Sequence, residues 1–287
     1  MKARSWLFVP ADSEKKLARI GSTGADRYLL DLEDSVSIAN KPGAREWAAA
    51  FLRESEVERE RLWVRVNPVT GNEFERDLEA VMPAGPGGIL LPKSRGPEDV
   101  QALAQRLDEL EKRHGLPAGS THIIALVTET PEALFTLGGY GACTHRLAGL
   151  TWGAEDLGSA IGASRWRDEN GEWTPPFQVV RSLALFAAHA ARVPAIDTIY
   201  ADFGDAEGLS DSLEQARRDG FSGKLAIHPA QVEAINRAFS PTQQEIERAK
   251  RIVELFNANP NAGVLEMDGQ MLDRPHLLHA QRLLSSL

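Results

Sequence analysis

The sequence predicts an α/β fold, a (β/α)8 barrel with a C-terminal helical extension. Three observations predict it. Eight short apolar runs recur along the chain, each followed by a helical pattern. The repeats occupy about 240 residues, the ordinary size of such a barrel. Polar and charged residues gather at the carboxyl ends of the runs, the edge where barrel enzymes place their chemistry. An open doubly wound sheet is the main competitor, but no G-x-G-x-x-G follows the first run. The expected division is residues 1–240 for the barrel and 241–287 for the C-terminal helix and lid segment.

The 287 residues are 43% hydrophobic, enough for a full core, and carry a formal charge of −9. That acidity argues against nucleic acid, whose partners carry a basic stripe. An anionic substrate would need local positive charge or a metal. The one cysteine, Cys143, has no partner for an internal disulfide and lies in a glycine-rich turn without an activating base. No signal-like apolar segment follows Met1-Lys2. A soluble, cytoplasmic protein with no membrane partner is expected.

Trp6–Val9 is the first strand, with a helix starting near Asp12-Ser13. Arg27–Leu32 is the second, followed by Glu33-Asp34-Ser35 and a helix that starts after Asn40 with the stripe Trp47, Ala48, Phe51, Leu52. Leu62–Val66 is the third, before a short helix over Glu73–Val81. Gly88–Leu91 is the fourth, before a helix from Pro97 to about His114 with Val100, Leu103, Leu107 and Leu110 on one face.

The fifth strand, Ile123–Val127, is β-branched and reads as buried on both faces. Thr130 stands where a helix N-cap belongs, with Pro131 at the first helical position. Glu129 is left at the strand's carboxyl end. The sixth strand, Leu147–Trp152, repeats the pattern, with Gly153-Ala-Glu-Asp156 leading into Leu157–Ile161. A polar insertion over Ser164–Pro176 and a helix Phe177–Ala191 precede the seventh strand, Asp197–Ala201. A helix Ser210–Asp219 precedes the eighth, Lys224–Ile227. Beyond it, Ser240-Pro241 starts a helix to about Asn257, Asn259–Gly263 breaks the chain, and Pro275 opens a last helix. Pattern alone favours packing over a lid for this tail.

Read together, the strand ends present Asp34, Arg65, Lys93, Glu129, Asp156, Asp202 and His228. Glu129 and Asp156 end successive strands, and carboxylates that close repel unless a cation neutralises them. Mg2+ or Mn2+ is the expected ion, because hard oxygen ligands dominate and no His or Cys cluster suits zinc. Arg65, inside Trp63-Val-Arg-Val-Asn67, demands an anion, and a two-point carboxylate is its natural partner. Asp34 reads equally as a turn cap, and Lys93 as a solvated loop residue. Asp202 lies in Ala-Asp-Phe-Gly, a kinase-like magnesium motif without the other kinase elements. His228, before Pro229 at a helix start, reads as structural.

Arg4-Ser-Trp-Leu-Phe-Val-Pro-Ala11, Asp31-Leu-Glu-Asp-Ser-Val36, Trp63–Asn67, Leu91-Pro-Lys-Ser94, Glu129-Thr130, Gly153–Asp156, Ala226-Ile-His-Pro229 and the tail Asp268–His276 resemble one family. It is the citrate lyase beta-subunit-like family, in the larger HpcH/HpaI aldolase group. The resemblance spans nearly the whole chain. It implies a TIM barrel whose Mg2+ is held by Glu129 and Asp156, and whose Arg65 binds the oxygens of an α-keto acid. The implied reaction makes or breaks a C–C bond between an acyl-thioester enolate and that keto acid, as in citryl-, malyl- and citramalyl-thioester lyases. Free aldolases of the group usually carry a histidine base where Glu33-Asp34 stands here, which favours the thioester branch over a 2-keto acid aldolase. The resemblance makes Asp273 the acid that protonates the enolate carbon, on a lid closing over a neighbouring subunit's site. It thereby replaces the packing reading of the tail, whose Met267, Met271 and Leu272 would exclude water.

A homotrimer, or a hexamer made of two, is implied by the same analogy. Carrier and transferase subunits belong to citrate lyase proper, whereas stand-alone relatives use coenzyme A esters. Arg165 and Arg167, in the long insertion, could meet coenzyme A phosphates, although solvated charge is the simpler reading. The alternative of another class is a non-catalytic or regulatory barrel that retains keto-acid binding.

Overall fold

The computed structural model describes residues 3–285, so Met1-Lys2 and the last two residues of the 241–287 segment lie outside the described residues. These fall into two compact units, Ala3–Arg237 and a second beginning at Ala238.

The first unit is a closed parallel barrel in which eight strands pair in sequence order and β1 closes on β8. The strands and α-helices, in chain order, are β1 (Ser5–Pro10), α1 (Glu14–Leu17), β2 (Arg27–Asp31), α2 (Lys41–Glu54), β3 (Leu62–Arg65), α3 (Phe74–Val81), β4 (Gly88–Leu91), α4 (Pro97–His114), β5 (His122–Leu126), β6 (Leu147–Thr151), α5 (Glu155–Ala160), α6 (Pro175–Ala190), β7 (Ala195–Asp197), α7 (Ala206–Asp219), β8 (Gly223–Ala226) and α8 (Val232–Ala238). The closure leaves no unpaired strand edge in the barrel.

Alternate strand residues fill the interior. Trp6, Leu29, Trp63, Leu90, Ile124, Leu126, Ile196 and Leu225 form one buried cluster. Trp6 and Trp63, near the starts of their strands, meet edge to face at 5.0 Å and plug the amino-terminal end. Their indole N–H groups donate to the Ala3 and Glu60 carbonyls, so neither buried ring leaves a donor unmet. Gly88 is required beside them: a Cβ there would lie 2.2 Å from the Trp63 ring. Apolar packing thus closes the lower end and leaves the carboxyl edge free for polar groups.

Helix α4 shows how the outer layer forms. Pro97 sits at its first position, and Gly115, left-handed at φ 67°, ends it. Val100, Leu103, Leu107 and Leu110 are all fully buried, as their spacing predicts. In α2 the stripe is only partly buried: Ala48 and Leu52 are covered, whereas Trp47 is 45% exposed.

The structure departs from the sequence expectations at three elements. No α-helix follows β5: two 3-10 segments, Glu132–Phe135 and Leu137–Ala142, take its place. Gly138, Gly139 and Gly141 weaken any continuous helix there. Strand β7 is Ala195–Asp197 rather than Asp197–Ala201, because its pairing with Leu150-Thr151 fixes the earlier register. Asp202 therefore lies in an exposed turn, not at a strand end. The tail also contains a hairpin, β9 (Val264–Met267) and β10 (Gln270–Asp273).

In the second unit, α9 (Gln243–Ala258) opens with a Thr242/Glu245 capping box. It packs with the hairpin and α10 (Arg274–Leu284) around Ala249, Ile252, Phe256, Met267, Leu272, Leu277 and Ala280. Met267 and Leu272 thus belong to this unit's own core, while Met271 is 61% exposed. Among the described residues no helix is long and apolar enough to cross a membrane.

Candidate active site

A cavity of about 480 Å³ opens at the carboxyl edge of the barrel. Arg65, Asp34, Glu129 and Asp156 line it, together with Asp31 and Glu155. Five of the seven barrel-edge residues that the sequence marks, His228 among them, therefore line one cavity, and Lys93 touches the same group from the side.

Glu129 follows β5 and is 5% exposed. The neighbouring Thr128 hydroxyl bonds to both the N–H and the C=O of Gly153, at 3.0 Å each, tying the end of β5 to the end of β6. Gly153 also makes room: a Cβ there would lie 3.3 Å from Glu129 Cγ. The Lys93 peptide N–H donates to Glu129 Oε2 at 2.5 Å. Lys93 is left-handed, at φ 49°, a conformation that costs a non-glycine residue about 1 kcal/mol. Burial holds the Glu129 carboxyl well above its ordinary pKa, and the Glu33 and Asp156 carboxylates push the same way against the Lys93 N–H.

Asp156 lies in the first turn of α5, with its side chain 37% exposed. This donor set suits a hard divalent cation: oxygen ligands only, and two carboxylates whose mutual repulsion shows in Glu129. Among the described residues no three His, Cys, Asp or Glu side chains cluster for a metal. The protein would supply two ligands and leave the rest to water and substrate, which is how Mg2+ is commonly held.

Arg65 has a carboxylate partner that the sequence reading did not single out. Its Nε and Nη2 donate to Asp31 Oδ1 and Oδ2 at 2.6 and 2.5 Å. Its Nη1 lies 3.0 Å from Glu33 Oε2, and its guanidinium stacks 4.6 Å from the Phe8 ring centre. Burial works against the Arg65 charge, but Asp31 outweighs it and raises the pKa. Burial likewise opposes the Asp31 charge, and Arg65 outweighs it to hold that carboxyl low. Arg65 is thus fixed in charge and direction. Asp31 and Glu33 were legible as acids interrupting the apolar run Tyr28–Leu32 and its end.

Lys93 Nζ lies 2.6 Å from Glu33 Oε1, 3.3 Å from Asp34 Oδ2 and 3.5 Å from Asp156 Oδ1. It is neither a free loop lysine nor a lining residue of the cavity. Asp34, 56% exposed, is its rim partner as well as a lining group.

The remaining marked residues have other partners. His228 lines the cavity, accepts the Ala230 N–H and stacks on Phe203 at 4.9 Å, which supports its structural reading. Asp202 accepts the Gly204 N–H in its own turn. Arg165 pairs with Glu169, and Arg167 stacks 3.7 Å from the Trp173 ring centre. Burial pushes the Cys143 thiol up, away from reactivity. Asp273 belongs to the second unit, as N-cap residue of α10, with Oδ1 2.5 Å from His276 Nδ1.

Comparison with known sequences and structures gives this barrel its class, that of the carbon–carbon lyases. The chain belongs to the HpcH/HpaI aldolase/citrate lyase family, whose sequence model matches residues 4–229. It is 31% identical to the citrate lyase subunit beta of Leuconostoc mesenteroides subsp. cremoris, over 98% of this chain and 92% of that protein. It is 32% identical to a (3S)-malyl-CoA thioesterase of Cereibacter sphaeroides, over 98% and 93%. Its fold superimposes with a TM-score of 0.80 on the crystal structure of CitE from Mycobacterium tuberculosis in complex with magnesium, acetoacetate and coenzyme A. That pair is 33% identical, and the match covers 99% of this chain and 97% of the other.

Proposed function

We propose that this protein is a Mg2+-dependent lyase that cleaves a 3-hydroxyacyl-coenzyme A thioester, of citryl, malyl or citramalyl type, into an acyl thioester and an α-keto acid. The observation that carries the reading is the pairing of buried Glu129 with Asp156 beside Arg65 at the mouth of one cavity. The relatives above support it, since their names and bound ligands join magnesium, a keto acid and coenzyme A.

Glu129 and Asp156 would hold the cation, which supplies Lewis-acid polarisation of substrate oxygen. Arg65, aligned by Asp31, presents fixed positive charge toward the oxygen that becomes the ketone. Phe8, Leu126, Ile199, Leu225 and Ile227 give the cavity apolar walls that exclude water from the enolate. Cleavage removes one proton from the substrate hydroxyl and returns one to the enolate carbon. Asp273 is the proposed donor for the second transfer, supplied by a neighbouring copy in a homotrimer or hexamer. The protein is proposed to act in the cytoplasm, on coenzyme A esters or with carrier and transferase subunits.

The thioesterase relative favours a second reading, hydrolysis of the thioester itself. One screen separates the two. The purified protein with Mg2+ is offered malyl-, citramalyl- and citryl-coenzyme A, and both free keto acid and free thiol are measured. Keto acid without thiol supports the lyase. Thiol without keto acid overturns it in favour of the hydrolase, and neither product leaves a regulatory, keto-acid-binding barrel.

A further inference from the structure

The acidic rim already contains a cation of its own. Three carboxylates, two from the loop after β2 and one from the first turn of α5, converge on the Lys93 ammonium: Glu33 at 2.6 Å, Asp34 at 3.3 Å and Asp156 at 3.5 Å. The same residue's peptide N–H holds Glu129. Its left-handed backbone lets these two donors address different carboxylates, and such a conformation persists only where the surroundings over-determine it.

We propose that Lys93 is a positioning residue that competes with the divalent cation. Its ammonium is the counter-ion of Asp156 while the metal is away and withdraws toward Glu33 when the metal arrives. The inference rests on Glu129 and Asp156 being the cation's ligands.

The geometry gives the ammonium somewhere to withdraw. Glu33 is 3% exposed, and its Oε2 sits 3.0 Å from Arg65 Nη1 without the alignment of a hydrogen bond. This carboxylate is fixed in place and still able to accept, so it is the firm end of the Lys93 tether. Asp34 and Asp156 are the exposed, adjustable end. The ammonium therefore need not leave the cluster when Asp156 turns to a metal. Its positive charge stays nearby and weakens the bare cation site. Bound metal is then firm only when an anionic substrate adds its own oxygens and offsets that charge. The cost of keeping Lys93 there is metal affinity, and the gain is coupling of metal to substrate.

Calorimetric titration of Mn2+ into the full chain, without substrate, tests the proposal through binding rather than turnover. Lys93→Met removes the charge and keeps the stem, so Mn2+ should bind about tenfold more tightly than to wild type. Lys93→Arg keeps the charge and should stay within about twofold of wild type. Lys93→Gln takes the place of Lys93→Met if circular dichroism shows that variant unfolded. Unchanged or weaker binding by the uncharged variants overturns the competition and leaves the ligand assignment standing. Mn2+ binding that is absent from wild type and from the uncharged variants alike, or that is as tight after Glu129→Gln, overturns both.

Discussion

Arg65 and Asp31 are register partners on β3 and β2 and form a two-point ion pair inside the barrel's carboxyl edge. The pair spends two of the three guanidinium nitrogens on a fixed carboxylate. Only the Nη1 side remains, directed to Glu33 and the cavity. Asp31 is fully buried and also accepts the N–H groups of Glu33 and Ser35, so it cannot swing with the arginine. The protein alone fixes the arginine's direction, and in the proposed reaction such preorganisation is what makes a charge effective toward a developing oxyanion.

Arg65→Lys should therefore lower kcat by about 100-fold, because an ammonium cannot hold both the Asp31 fork and the substrate oxygen. Asp31→Asn should lower it less, by about tenfold, while leaving divalent-cation affinity intact. It should also destabilise the fold by about 3 kcal/mol in urea unfolding, since one half of a buried pair is left behind. A lysine variant with near-normal turnover returns Arg65 to a structural role.

Much of this site is legible in the sequence because each functional side chain closes an apolar run. Glu129 after Ile123–Val127 and Arg65 within Trp63–Asn67 are charges that the barrel interior tolerates only at its wet edge. Asp31 and Glu33 are harder to read, since acids at the end of an apolar run look like the start of the turn. The helix expected after Thr130 fails because a good cap does not compensate for three glycines two to three turns further on. The hairpin carries its own signal, Asp268-Gly269, and both residues take the positive φ that a tight two-residue turn needs. The exposed strands around it lack the apolar alternation that would make them visible.

Glu129→Gln should weaken Mn2+ or Mg2+ binding by more than about 100-fold, exceeding the loss usual for a supporting residue. Pyruvate or oxaloacetate should then bind no better with the metal than without it. Calorimetry on the variant, and on wild type in excess chelator, checks both. Keto-acid binding that ignores the chelator would sink the metal assignment.

A second buried pair sets acid stability. Arg146, 1% exposed, donates to both oxygens of Glu111, itself 1% exposed, and pairs with Asp108. The Thr121 and Gly119 N–H groups also donate to Glu111. Burial opposes the Glu111 charge, but these donors prevail and bring its pKa down to about 2 from 4.5. A depressed folded pKa means the stabilisation is complete above pH 4.5 and is lost as pH falls toward 2. Glu111→Gln should cost about 3 kcal/mol at pH 7. That deficit should shrink across this acid window, as urea unfolding at a series of pH values will show.

Asp273, the proposed proton donor, lies outside the barrel unit. It lies beyond the break at Asn259–Gly263, in the separate unit, where His276 Nδ1 approaches its carboxylate at 2.5 Å. A carboxyl group there is oriented by a titratable neighbour and stands beside exposed Met271, an arrangement suited to delivering a proton to an apolar site. Asp273→Asn should keep metal and keto-acid affinity at wild-type values while losing turnover by about 100-fold or more. Co-expression with a Glu129→Ala chain then decides which barrel the acid serves. If it acts across subunits, mixed oligomers contain sites with an intact barrel from one chain and an intact Asp273 from the other. Random assembly makes roughly a quarter of the sites whole, and that fraction of activity should return. If each Asp273 serves its own barrel, no site is whole, and the mixture stays as inactive as either parent.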